Sequence, residues 1–190
     1  MTLAIALLLG TLFGSAASHP AAPDSCWSRA ASAELATRAS LLDSAVAQLG
    51  GAELKLCYSR PSVRGRVVMG QLVPFGAPWR LGANEATALH VPVAVRLGDV
   101  TLQPGVYSLY AVPGPTAWQI VVNKSAARWG IPIGAAVRAQ DIGAVTATSE
   151  HTDAPVETLT MRLEPAGQDA VDLVIEWERT RVRTTIRRAS

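Results

Sequence analysis

Apolar and polar side chains alternate at every second position through most of this chain, and turn residues break the alternation at short intervals. Successive side chains of a strand point to opposite faces, so this pattern describes half-buried strands. Over 52–58, Leu54, Leu56 and Tyr58 share one face, and Glu53, Lys55 and Cys57 the other. Over 156–163, Leu159, Met161 and Leu163 alternate with Thr158, Thr160 and Arg162. Val171, Leu173, Ile175 and Trp177 oppose Asp172, Glu176 and Glu178, with Val174 interrupting the polar face. Further strands are predicted over 44–49, 86–91, 93–97, 100–102, 106–112, 117–123, 142–148 and 180–188. Gly50-Gly51 suits a tight hairpin turn, Pro104-Gly105 a type II turn, and Pro92 a break or an edge. Helical periodicity appears nowhere in the interior. The expected fold class is all-β, an antiparallel β-sandwich, with an open barrel as the alternative architecture.

At 190 residues the chain has room for one well-cored domain, placed at 42–188. Hydrophobic residues make up 49% and charged residues 17%, which excludes a disordered chain. A net charge of +2 gives no ground for nucleic-acid binding. Residues 3–13 are almost wholly apolar and are followed by Ser15-Ala16-Ala17-Ser18, the layout of a secretory leader, although no Lys or Arg precedes the apolar run. Eleven residues are too few to cross a bilayer as a helix, which takes about 20. Residues 1–18 are therefore expected to be a signal peptide, and the protein to be secreted or periplasmic with no transmembrane segment in the mature chain. Residues 19–41 form a lead-in rich in Ala, Ser and Pro, where 30–39 suits a short helix or a flexible arm. Cys26 and Cys57 suit either a disulfide, as an exported compartment permits, or two separate thiols.

The chemistry is concentrated between positions 58 and 87. Arg60, Arg64, Arg66, Trp79, Arg80, Asn84 and Glu85 lie there among prolines and glycines. A guanidinium is a planar fork suited to carboxylate or phosphate, and Trp79 offers a stacking face. The candidate ligand-binding set is Arg60, Arg64, Trp79, Arg80, Asn84 and Glu85, for a small polar or anionic ligand such as a saccharide. The opposing reading makes the stretch a latch, in which Arg80 pairs with Glu85, or these two with Arg60 and Glu53, to hold a long loop on the sheet. A hydrolase of a cell-envelope compound is a further alternative, with Glu85 as general acid or base and Arg80 holding an oxyanion. A structural or interaction domain without a small ligand is another.

Elsewhere the motifs are few. There is no phosphate loop, no dinucleotide fingerprint and no Cys-x-x-Cys, so no cofactor is expected. His151 with Glu150 and Asp153 reads as a solvated acidic loop, and His90 as a structural histidine within a strand; no metal site is expected. The stripe Arg179, Arg181, Arg183 and Arg187 reads as a solvated face paired with Asp172, Glu176 or Glu178.

The runs Tyr58-Ser59-Arg60-Pro61-Ser62, Arg64-Gly65-Arg66, Leu72-Val73-Pro74-Phe75-Gly76, Trp79-Arg80 and Gly82-Ala83-Asn84-Glu85-Ala86-Thr87 resemble the bacterial domain-of-unknown-function family 2911. Pro104-Gly105-Val106-Tyr107-Ser108-Leu109, the segment 118–123 and Glu176-Trp177 fit it too. The resemblance covers roughly 42–188. It implies exported bacterial proteins with a β-rich domain, and brings no activity, substrate or catalytic residue.

Overall fold

The computed structural model describes residues 26–189. The expected signal peptide lies outside the described residues. Nine strands follow in chain order: β1 (Leu41–Leu49), β2 (Ala52–Arg60), β3 (Thr87–Val91), β4 (Val95–Leu97), β5 (Val100–Leu102), β6 (Gly105–Pro113), β7 (Ala117–Asn123), β8 (Asp141–Pro165) and β9 (Ala170–Arg188). Two single-turn helices, α1 (Ser32–Leu35) and α2 (Ala135–Arg138), lie in the lead-in and in the β7–β8 connection. The strands form one antiparallel sheet in the order β1-β2-β3-β6-β7-β8-β9-β4-β5, which does not close into a barrel. The expectation of an all-β antiparallel fold holds.

The β1–β2 hairpin turns on Gly50 and Gly51, both at positive φ, as a two-residue turn requires. The expected strands at 142–148 and 156–163 are one element. The first part of β8 pairs with β7 and the rest with β9, with register shifts between His151 and Val156 and again before Thr160. Bulges of this kind bend a strand and let it pass from one part of a sheet to another. His151 and its acidic neighbours therefore lie on a strand, not in a loop. The described residues contain no cluster of His, Cys, Asp or Glu able to hold a metal ion. Likewise β9 runs unbroken through Glu178, whose φ of 56° marks the kink.

The bent ribbon of β8 and β9 folds back on the β1–β2 hairpin. The Tyr58 hydroxyl donates to the Met161 carbonyl at 3.2 Å and accepts from the Met161 N–H at 2.9 Å. Between the layers lies the core that the alternation predicts: Leu54, Leu56, Leu89, Leu109 and Ile120 on one side, and Leu159, Leu173 and Ile175 on the other. The opposite face of β2, β3 and β6 is covered by the lead-in and by the β7–β8 connection, so β2 and β3 are buried almost throughout. Cys26 and Cys57 form a disulfide that ties the lead-in to this outer face.

Candidate functional site

Pro61 holds the residue before it in an extended form, so β2 reaches Arg60 without turning. The chain stays extended to Val63, where Ser62 bridges Thr158 and the Val63 N–H donates to the Glu157 carbonyl at 2.7 Å. The long connection to β3 is then fixed through its backbone. Trp79 and Ala111 exchange two hydrogen bonds, and the Val68 and Met69 N–H groups donate to the Glu178 carboxylate. These bonds give the connection the partners its peptide groups need.

The pairing expected of Arg80 and Glu85 is not what holds the connection. Glu85 is 3% exposed and faces away from Arg80, toward the lead-in. It accepts from the Arg38 guanidinium at 2.7 and 3.0 Å, from the Ser28 hydroxyl at 3.2 Å and from the Arg29 N–H at 3.1 Å. Burial pushes the Glu85 carboxyl up, and Arg38 with the backbone N–H groups outweighs it, leaving the group below the usual carboxylate range. Arg38 also lies over the ring of Trp129, 5.7 Å from its centroid. Arg60 pairs with Asp43 at 3.0 Å rather than with Glu53, and reaches the Leu159 carbonyl and Thr160. The Asn84 amide donates to the Ser40 carbonyl at 2.9 Å. Three members of the candidate set, Arg60, Asn84 and Glu85, thus make their polar contacts within the protein, and Glu85 lines a separate cavity beside the disulfide. Glu85 and Arg80 do not assemble the acid–base and oxyanion pair a hydrolase of the expected kind would need.

The other three, Arg64, Trp79 and Arg80, line one cleft of about 370 Å³ between the 61–83 segment, the end of the lead-in and β9. Arg66, Trp177, Leu72 and Ile131 join them. Trp79 stacks on Trp177 with ring centroids 5.7 Å apart and packs edge-on to Trp118, so part of its surface is already used by the protein. Gly130 passes so close beneath Arg80 that an added Cβ would sit 2.6 Å from the Arg80 Cδ, and its N–H bonds the Asn84 carbonyl. This contact fixes the stem of Arg80.

The three guanidiniums share one property. Arg64 donates to the Ala39 carbonyl at 3.1 Å, Arg66 to the Val63 and Ser62 carbonyls at 2.9 and 2.6 Å, and Arg80 to the Gly82 carbonyl at 3.2 Å. Among the described residues none of the three forms an ion pair with a carboxylate, and no acidic side chain lines the cleft. Burial with no acid partner pulls the Arg80 guanidinium below its ordinary value. Arg162, Arg181 and Arg183 on β8 and β9 are different. Arg181 pairs with Glu176, and Arg183 with Asp172 and Glu164, while Arg162 of β8 bridges Glu164 and Glu176. Arg179 reaches the Asp153 carbonyl.

Sequence reasoning missed Trp177 and Ile131 as cleft residues because each lies far along the chain. Trp177 was legible as a core position by alternation, and its place in mid-strand beside the Glu178 kink, stacked on Trp79, brings it to the cleft. Two further features were not legible. A second, largely apolar cavity of about 200 Å³ lies beside the disulfide, lined by Trp27, Cys57, His90 and Val106 among others. Tyr110 donates to Asp141 at 2.6 Å, and burial followed by this bond pushes its hydroxyl up to about 12.

No curated protein and no solved structure matches this chain. A family model does match, over residues 40–186, a span that holds β1 to β8, β9 up to Ile186, and the whole cleft-forming connection. The chain therefore belongs to the family described as "Protein of unknown function (DUF2911)".

Proposed function

We propose that the protein is an exported binding module that holds a small anionic ligand in the cleft lined by Arg64, Arg66 and Arg80. The observation that carries this reading is the contrast between the two arginine groups. Arg162 of β8 and Arg181 and Arg183 of β9 are neutralised by neighbouring carboxylates. Among the described residues, the cleft guanidiniums bond only to carbonyl oxygens and form no ion pair, and the one carboxylate that meets this wall, Glu157, accepts from the Arg64 backbone N–H at 2.9 Å. An anion bound among them gains charge-assisted hydrogen bonds from guanidiniums that face one cleft. Arg80, half-buried and fixed over Gly130, is the arginine with the most to gain. The apolar run that opens the chain supports an exported setting.

Calorimetric titration with inorganic phosphate and with citrate tests the reading. Binding is expected to weaken about tenfold or more in Arg80→Gln, as loss of a charged hydrogen bond implies. Arg181→Gln, a change on the neutralised β9 face, should leave it unaltered. Equal weakening in both variants, or no heat with either anion, would refute an anion site in the cleft.

A further inference from the structure

We infer that the ligand of this cleft is an anionic amphiphile, a carboxylate or phosphate head carrying an alkyl chain. The inference rests on the anion-site reading and adds a chain to the head. Apart from its arginines, the cleft wall offers few hydrogen-bonding side chains. These are Ser40, Ser62 and the indole N–H groups of Trp79 and Trp177, and the Ser62 hydroxyl already shares a bond with Thr158 at 3.1 Å. Asn84, the amide that a sugar hydroxyl would seek, is turned to the Ser40 carbonyl. Guanidinium and indole groups only donate, so a sugar hydroxyl finds few side-chain acceptors here, whereas an anionic head needs donors alone.

The rest of the wall is apolar: Leu72, Val73, Pro78, Ile131 and the stacked Trp79 and Trp177. Leu72 is 45% exposed and Ile131 50% exposed, so two large apolar side chains of the cleft are left partly in water. Val67 and Phe75, from the same connection as Leu72, are also exposed large hydrophobics. Exposed apolar groups beside a cavity mark a surface that gains by being covered. The cations and the apolar wall belong to one cleft, so a single molecule that is charged at one end and apolar along its length satisfies both. The volume lies at the small end of ligand pockets, which suits one chain.

The test is a titration of the disulfide-intact protein with a homologous series of sodium carboxylates from butanoate to decanoate, kept below micelle formation. Affinity should tighten about fourfold per added methylene until the cleft is filled. Octanol should bind at least tenfold more weakly than octanoate, because it lacks the charge. The double change Leu72→Ser with Ile131→Ser removes two exposed apolar groups, so it leaves folding intact. It should weaken octanoate about tenfold and leave inorganic phosphate unchanged. If phosphate binds in an Arg80-dependent way while affinity stays flat along the series, the amphiphile fails and the anion cleft stands. If neither phosphate nor octanoate binds, both fail. If Arg64→Gln and Arg80→Gln bind octanoate as well as the parent does, the head is not held by the arginines and the inference is overturned. Co-sedimentation with phosphatidylglycerol vesicles, against phosphatidylcholine vesicles, separates the two sources of such a ligand. Retention on the anionic vesicles, lost in the double variant, points to a bilayer lipid; octanoate binding without retention points to a free amphiphile.

Discussion

Glu85 shows how a single carboxylate can be read in the wrong role. It sits five positions after Arg80, with Leu81, Gly82, Ala83 and Asn84 between, and sequence proximity suggests that the two pair. Asn84 at φ 56° and Leu81 at φ 55° turn the backbone twice within four residues, and Glu85 emerges facing the lead-in. There it gathers Arg38, Ser28 and the Arg29 N–H around a buried charge. Removing one partner of such a pair leaves the other charge without compensation. Glu85→Ala should therefore cost about 3 kcal/mol in chemical denaturation, and Glu85→Gln less, because the amide still accepts from Ser28 and Arg29. A Glu85→Ala protein as stable as the parent would show that the lead-in is not held through this residue.

Among the elements, the lead-in segment 26–40 is the one whose structure is least its own. Its only helix is the single turn α1, which buries none of its residues. What places it is a set of tethers: the disulfide at Cys26, Glu85 to Arg38, and the Ala39 and Ser40 carbonyls accepting from Arg64 and Asn84. The disulfide closes a loop with a sequence separation of 31 residues. Restricting the unfolded chain by a loop of that length is worth about 3–4 kcal/mol. The variant carrying Cys26→Ser and Cys57→Ser should lose stability of that order in urea titration. It should also be nicked by protease within 31–40 before the sheet opens, because only the Glu85, Arg64 and Asn84 tethers remain. Simultaneous loss of the lead-in and the sheet would mean that the segment is part of the cooperative core. Since Ala39 and Ser40 line the cleft, loosening the segment also alters one wall of the candidate site.

For the whole molecule, acid is the weak point. Glu85, Glu164, Asp172 and Glu176 are all held below the usual carboxylate range. At Glu164 and Glu176 the main cause is the hydrogen bond from Arg162. At Glu85 and Asp172 burial pushes upward and is outweighed, by Arg38 and backbone N–H groups in the first case and by Thr185 and Arg183 in the second. A carboxyl depressed on folding binds its proton less tightly in the native state than in the unfolded one. Its contribution is full above the unfolded range, about pH 4, and is lost as the pH falls through the lower native values. The melting temperature should be flat from neutral pH to about 5 and drop below about 4. The combined Glu85→Gln and Glu176→Gln protein should show a shallower drop. An acid limb of unchanged steepness in that protein would mean that these carboxylates do not govern acid unfolding.

The sequence by itself determined the strands, their faces and the hairpin at Gly50-Gly51, because alternation and positive-φ glycines are local properties that the sheet only has to accept. It also marked the 58–87 stretch as the place where charge and aromatic rings collect. Several things depended on contacts across the chain that no local pattern encodes. These were the joining of two expected strands into the bent β8, the turning of Glu85 away from Arg80, and the arrival of Trp177 and Ile131 beside Arg64, Arg66 and Arg80. A guanidinium looks the same in sequence whether a carboxylate or a carbonyl will face it. Tertiary contacts alone pair Arg162, Arg181 and Arg183 with carboxylates and leave the cleft guanidiniums on carbonyl oxygens, because ion pairing is a matter of distance in space and not of position along the chain.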